Sequence, residues 1–181
     1  MAQRRAKIPA ILCLIIAFGL ARSNSTAAEE SLEYQVKAAF LLNFIKFTEW
    51  PASAFADSDS PISICILGVD PFGNALDQLI AGESVNGRKV TIERMKRAPS
   101  PKTCQVLFLN KSEKDIDKTL SALGPGILTV GEGESFVRDG GMIAFIIENR
   151  RVRFDINQTA AQNSVLKLSS KLLSVARSVE K

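Results

Sequence analysis

The sequence predicts a single α/β domain with a mostly parallel sheet of about five to six strands, helices on both faces and an antiparallel hairpin at one edge. Two observations predict this fold. Short apolar runs alternate with short amphipathic segments, as in chains that build parallel sheets. One pair of runs is separated only by Asn149-Arg150, which predicts a tight turn between antiparallel strands.

The predicted strands are runs rich in β-branched residues. They cover residues 62–68, 88–95, 104–109, 127–130, 142–148 and 151–156. The second and the last alternate apolar and polar residues, which indicates half-exposed strands, whereas the others are predominantly apolar, which indicates buried strands. Helices are predicted between them, over residues 72–80, 112–123, 135–137, 157–163 and 169–177, with Ser112 and Ser169 as N-caps.

Residues 33–51 form the most apolar segment after the N-terminal region, and they predict a helix that ends at Pro51. Polar residues recur there every three to six positions, which indicates a narrow wet face and a broad apolar face. Such a helix packs on its own sheet or shares part of its surface with a partner or a second subunit. Phe40, Phe44 and Trp50 are the candidate contact residues on this segment.

The first 28 residues have the organisation of a secretory signal peptide. Basic residues precede an uncharged apolar run over residues 8–21, and small residues follow over 23–28. The run of about 14 residues is short for a membrane span, which needs about 20. We expect cleavage near Ala27 or Ala28 and a mature domain of residues 29–181, with an uncleaved anchor as the alternative.

The mature domain has a formal charge of zero. Four of the 23 basic residues lie in the leader, whereas all 19 acidic residues follow it. The pI of 9.1 therefore comes mostly from the leader. This balance gives no indication of a nucleic-acid partner or of an anionic membrane partner.

Cys65 and Cys104 are the cysteines of the mature domain, since Cys13 lies in the leader. An exported pair favours a disulfide, and closing a loop of about 40 residues stabilises a fold by roughly 4 kcal/mol. A redox-responsive pair is the alternative. A metal site is not expected, because the chain has no histidine and neither cysteine has another cysteine nearby.

The sequence offers little that could perform catalysis. Without histidine there is no Ser-His or Cys-His nucleophile pair. Residues 131–134, GEGE, lack the third glycine of a dinucleotide-binding loop and place acids where a phosphate would sit, so we predict a tight turn there. The layering is therefore Rossmann-like without a nucleotide site, and we expect neither an enzyme nor a bound cofactor.

Two stretches of the mature domain are basic. Arg150, Arg151 and Arg153 form one compact cluster, which is typical of a solvated strand edge. The alternative is that Arg151 and Arg153 contact an anion, a small ligand or an acidic partner. The loop over residues 96–102, KRAPSPK, has the composition of a solvated loop.

Four parts of the chain resemble, in order, segments of the YfiR-like family of periplasmic proteins. They are YQVKAAFLLNFIKFTEWP at 34–51, ISICILG with DPF at 62–72, GGMI with VRFDIN at 140–157, and LSSKLLSVA at 168–176. The resemblance spans nearly the whole mature domain.

This resemblance implies a periplasmic, non-enzymatic repressor that works as a homodimer. Such a protein binds the periplasmic sensor domain of an inner-membrane diguanylate cyclase, and it lowers cyclic di-GMP, exopolysaccharide and biofilm output. An outer-membrane lipoprotein partner or a stress signal draws the repressor away. The alternatives are a small-ligand sensor or an accessory protein of a membrane histidine kinase.

The resemblance also places Cys65 and Cys104 where one family disulfide lies. Some members have a second cysteine pair near the late hairpin. This chain has Met142, Ala144 and Phe145 in that region and no cysteine.

Overall fold

The computed structural model describes residues 23–100 and 102–181. The chain forms two compact units that meet in sequence between Glu33 and Tyr34, and the second, Tyr34–Lys181, contains the ten strands of the described residues. Residues 1–22 of the predicted leader lie outside the described residues, so cleavage near Ala27 or Ala28 stays a prediction. Within the described ranges, no helix combines the length and the apolar character that a membrane crossing needs.

Six helices and ten strands make up the described chain. The helices are α1 (Ser23–Lys46), α2 (Asn74–Ile80), α3 (Ile116–Ala122), α4 (Ser135–Arg138), α5 (Gln158–Asn163) and α6 (Ser170–Val175). The strands are β1 (Thr48–Glu49), β2 (Ile62–Leu67), β3 (Ser84–Val85), β4 (Arg88–Met95), β5 (Val106–Leu109), β6 (Leu128–Glu132), β7 (Ile143–Glu148), β8 (Arg151–Asn157), β9 (Lys167–Leu168) and β10 (Ser178–Glu180).

Eight strands form the main sheet, in the order β10-β8-β7-β6-β5-β2-β4-β3. Its five central strands, β7 to β4, run parallel, whereas β8 is antiparallel to β7 and β3 is antiparallel to β4. The predicted fold class is confirmed. The sheet exceeds the predicted five to six strands because the short edge strands β3 and β10 have no strand pattern of their own in the sequence.

Each face of the sheet carries its own apolar core. On one face, α1, α2, α5 and α6 pack on side chains such as Ile64, Phe108 and Phe154. On the other face, α3 and α4 pack on Leu107 and Ile146. The layers follow from the strands, because successive side chains of a strand point to opposite faces and β2 and β5 are buried on both.

The helix predicted over residues 33–51 ends at Lys46, earlier than the proline. Thr48 begins β1 and pairs with Leu168 of β9. Its hydroxyl donates a hydrogen bond of 2.7 Å to the carbonyl of Phe44 in the last helical turn. Strand pairing therefore ends the helix before Pro51 can do so.

The prediction that Ser112 caps a helix is wrong. The Ser112 amide instead donates to the side-chain oxygen of Asn110, at 2.9 Å, in a turn. Helix α3 begins later, after Asp115 in the left-handed conformation. A side-chain-stabilised turn competes with the helix at this point.

A disulfide joins Cys65 in β2 to Cys104 just before β5, with a Cα–Cα distance of 6.0 Å. Both cysteines are fully buried in the core beneath α3 and α4. β2 and β5 are adjacent parallel strands, as the predicted pairing requires. The bond therefore links the two strands at the centre of the sheet.

Candidate functional site

In open α/β sheets, ligands bind at the carboxyl ends of the strands, where the strand order reverses. Here the chain passes from β2 to β4 on one side and then returns to β5 on the other, so the reversal lies between β2 and β5. Side chains of the protein itself fill this position. Tyr34 meets Phe72 edge-on at 5.6 Å, and Phe72 meets Phe108 at 4.7 Å.

Polar groups close the same crevice. Gly68, which follows β2, has a φ of 81° and lies so close to the Glu113 carboxylate that any side chain there would overlap it. At the end of β6, Glu132 accepts hydrogen bonds from the Tyr34 hydroxyl at 3.0 Å and from the Lys111 amide at 3.2 Å. The crevice is therefore closed by contacts within the chain.

Lys37 completes this cluster by pairing with Glu132. Its ammonium lies 2.5 Å from the Glu132 carboxylate, and the two side chains are only 3% and 6% exposed. The ammonium also lies 4.4 Å from the centre of the Tyr34 ring. Because both charges are buried, removal of either one would leave the other without its partner and would be strongly destabilising. We therefore interpret the pair as a structural contact between α1 and the sheet.

The sequence alone indicated no basic partner for Glu132. The sequence pattern predicts that Lys37 lies on the narrow polar face of an apolar helix, whereas in the structure it is buried. The available signal was position: a lysine one turn before Phe40 and Leu41, on a helix whose other side must cover the sheet. That signal does not specify which carboxylate the lysine meets.

The hairpin of β7 and β8 differs from this closed crevice. Asn149 and Arg150 both have positive φ values, 49° and 61°, as the predicted tight turn requires. β6 pairs with β7 only as far as Phe145, and β10 pairs with β8 only from Asp155 onward. The nine residues of the tip, 146–154, therefore extend beyond both neighbouring strands.

One face of the hairpin is apolar and continues the core toward solvent. Phe154 packs edge-on against Phe40 and Phe44, with ring centres 5.4 and 5.0 Å apart. The next residues on this face are Ile147, which is 50% exposed, and Val152, which is half-buried. They face each other across the two strands.

The opposite face of the hairpin is charged. Arg151 and Arg153 are exposed there, opposite Glu148 and Ile146 of β7. Farther along this face, the Arg177 guanidinium donates two hydrogen bonds to Asp155, at 2.5 and 2.8 Å. The two arginines predicted from sequence thus lie together on one strand.

Arg177 ties the base of the hairpin to two other acids. It lies 3.0 Å from Glu134 and 3.8 Å from Glu148. The hydrogen bonds to Asp155, and then to Glu134, raise the pKa of the Arg177 guanidinium, so it stays positively charged. This cluster holds the base of the hairpin and reaches into the tip at Glu148, beside which Arg151 stays exposed.

The remaining predicted contact residues lie elsewhere. Phe44 is fully buried in the core, so it cannot meet a partner directly. The Trp50 indole donates to the carbonyl of Gln105, at 3.3 Å, before β5 begins. That is the amino edge of the parallel sheet, opposite the hairpin tip.

Phe40, by contrast, packs against Phe154 of the hairpin. We call Phe40, Ile147, Arg151, Val152 and Arg153 the hairpin surface.

The ligand-binding role of Arg151 and Arg153 stays a prediction. A cavity of about 750 Å³ lies between the amino ends of β6 and β7 and helix α5. Its lining includes Thr129, Asn157 and Asn163, and the two arginines are not part of it.

Comparison with known proteins gives one result for the whole domain. No curated protein matches the chain. Residues 34–177 match the YfiR/HmsC-like family, and this range contains both the crevice and the hairpin surface. The match covers most of the 181 residues, including the four segments whose resemblance was noted in the sequence. The chain belongs to the YfiR/HmsC-like family.

Proposed function

We propose that this protein is a periplasmic, non-enzymatic repressor that binds the periplasmic sensor domain of an inner-membrane diguanylate cyclase. The observation that carries the proposal is the family match over residues 34–177. Membership of this family supports, in general terms, a role as a periplasmic regulator of a diguanylate cyclase. In this proposal the leader is cleaved near Ala27 or Ala28, and the mature domain acts as a homodimer.

The hairpin surface is the part of the domain that we assign to the sensor domain. Ile147 and Val152 offer exposed apolar area, and Arg151 and Arg153 offer charge on the other side of the same strands. Exposed apolar side chains and arginines are both enriched in protein interfaces, and the two faces of the tip offer one kind each. The tip also lies outside the sheet, where a partner can reach both of its sides.

The backbone of the tip strengthens this assignment. The Arg177 amide donates to the Phe154 carbonyl, so the backbone of Val152, two residues earlier, faces the same edge. The Gly133 amide donates to the Phe145 carbonyl, which places the backbone of Ile147 at the other edge. Among the described residues no strand pairs with either position. A partner strand could add at either edge.

Repression requires a preference for one state of the cyclase. A protein that binds the inactive and active states equally shifts nothing, whereas a reversal from 1:99 to 99:1 needs roughly a 10⁴-fold difference in affinity. The hairpin surface must therefore bind the inactive state of the sensor domain far more tightly than the active state. An outer-membrane lipoprotein would relieve repression by binding the repressor in competition.

Complementation of a deletion strain tests the proposal. Deletion is expected to raise cyclic di-GMP and matrix production, and the native protein is expected to restore both. Ile147→Glu should fail to restore them, because it places a charge in the apolar centre of the hairpin surface. Val69→Glu is the matched control: Val69 is 63% exposed and follows β2, three strands away from β7.

Both variants must reach the periplasm in equal amounts and have native melting temperatures. Unchanged cyclic di-GMP in the deletion strain would contradict the proposed function. Full repression by Ile147→Glu would instead show that the hairpin surface is not where the sensor domain binds.

A further inference from the structure

The sheet has a second open edge, on the outer side of β4. β3 pairs only with Arg88 and Lys89, and the Val90 amide then donates to the Glu83 carbonyl at 3.0 Å. Because alternate residues of a strand direct their backbone groups to the same side, those of Ile92 and Arg94 also face outward. Within residues 23–100 and 102–181 no strand pairs with them on that side.

One end of this open edge is basic. Lys96 and Arg97 follow β4 there, and both are exposed, whereas Lys89 lies before the open part and pairs with Ser84 of β3. Across the described part of the chain, neither Lys96 nor Arg97 forms an ion pair. Within the edge, Arg94 is already held by Asp70 and Asp77, at 2.7 and 2.6 Å, and Glu93 is exposed. The uncompensated positive charge therefore lies at the end formed by Lys96 and Arg97.

We propose that the outer edge of β4 binds an extended, acidic segment of another protein as an additional strand. The amides and carbonyls of Ile92 and Arg94 would supply four backbone hydrogen bonds to it. The open edge runs from Thr91 to Lys96, which is about 17 Å along a strand. The segment therefore carries acids at the end that meets Lys96 and Arg97, and an uncharged stretch of about five residues along the rest of the edge.

The charge pattern also selects against a second copy of this chain. Two β4 edges pairing antiparallel would bring Lys96 and Arg97 of each copy toward Arg88 and Lys89 of the other, and like charges that face each other destabilise strand pairs. The edge is also separate from the hairpin surface, because β4 lies four strands away from β7. This proposal therefore does not depend on the proposed cyclase contact.

A synthetic peptide tests the proposal on the intact mature protein. The peptide alternates valine and threonine over five residues and carries two glutamates at one end. Calorimetry should detect binding, and hydrogen exchange followed by NMR should show protection of the Ile92 and Arg94 amides. N-methylation of the central peptide residues should weaken binding at least roughly tenfold, since it removes the donors that reach β4.

The charge requirement has its own matched variants. Lys96→Glu together with Arg97→Glu should weaken binding at least roughly tenfold, whereas Lys167→Glu with Lys171→Glu, at two other exposed lysines, should not. Equal binding of the N-methylated peptide, or unprotected Ile92 and Arg94 amides in the complex, would overturn the proposal. So would protection of these amides in a peptide-free dimer, because a second copy would then fill the edge.

Discussion

The carboxyl edge of the sheet contains two regions with opposite character. At the β2–β5 reversal, Glu132 lies buried among Lys37, Tyr34 and the Lys111 amide. Farther along the same edge, the tip of the β7–β8 hairpin leaves Ile147 half exposed and its backbone edges open. The first region is closed by the chain itself, whereas in the second, among the described residues, no strand pairs with the tip on either outer side.

This difference supports the proposed assignment of the partner surface. The position at which related layerings bind ligands is here filled by the chain's own side chains, and we propose that the hairpin is the surface that a partner meets. We therefore expect substitutions in the crevice to change the free energy of unfolding. Substitutions on the hairpin surface should change repression and leave stability nearly unaltered.

The largest effect is expected when the closed crevice loses a charge. Lys37→Met leaves the buried Glu132 carboxylate without its cation and should lower the free energy of unfolding by about 3–5 kcal/mol. Urea denaturation of the two proteins measures this. Lys46→Met is the control on the same helix, since its pair with Glu83 is about 40% exposed and should contribute less than about 1 kcal/mol. If both variants lost the same free energy of unfolding, the buried pair would contribute no more to stability than the exposed pair does.

Removal of the disulfide tests the core behind the crevice. Replacement of Cys65 and Cys104 by alanine should lower the free energy of unfolding by about 2–4 kcal/mol, because the unfolded chain regains the freedom of the closed loop. Denaturation with and without reductant measures the same quantity in the native protein. A midpoint that does not move when the bond is reduced would contradict a structural role.

An intermediate effect is expected at the base of the hairpin. Arg177→Gln removes the partner of Asp155, a buried carboxylate, and should cost about 1–2 kcal/mol. It should also speed hydrogen exchange of the tip amides, since the strands lose their clamp. Arg151→Gln, on the exposed part of the same face, should stay within about 0.5 kcal/mol of the native protein. If Arg177→Gln and Arg151→Gln lost the same free energy of unfolding, the base of the hairpin would be no more important for stability than its tip.

The smallest effect concerns an exposed pair outside both regions. The hydrogen bond from Arg94 lowers the pKa of the Asp77 carboxyl below its usual value. A lowered pKa in the folded state stabilises the protein above about pH 4, and this contribution disappears as pH falls through the folded value. The stability difference between native protein and Arg94→Gln, below about 1 kcal/mol at pH 7, should therefore shrink below pH 4. A difference that grows on acidification would contradict this assignment.

Much of the fold was predictable because its signals are local. The apolar runs of β2 and β5 indicate buried strands, and Asn149-Arg150 indicates the turn that the structure contains. The end of α1 was mispredicted because Thr48 pairs with Leu168, a contact between residues far apart in sequence. The start of α3 was mispredicted because Asn110 stabilises a turn in which Ser112 lies.

The candidate site was predictable only in part, for the same reason. Arg151 and Arg153 alternate with apolar residues on β8, so their exposure could be expected. The burial of Phe44 and the pairing of Lys37 with Glu132 depend on how α1 crosses the sheet, which no local pattern encodes. Ile147 was missed because a run of apolar residues does not show where the neighbouring strand ends.

The most direct test of the central claim is hydrogen exchange of this protein alone and with the purified periplasmic domain of the cyclase. The account predicts that saturating amounts of that domain slow exchange in the hairpin tip, over residues 146–154, with little change around Tyr34 and Glu132. A complex in which the tip exchanges as fast as in the free protein would contradict it.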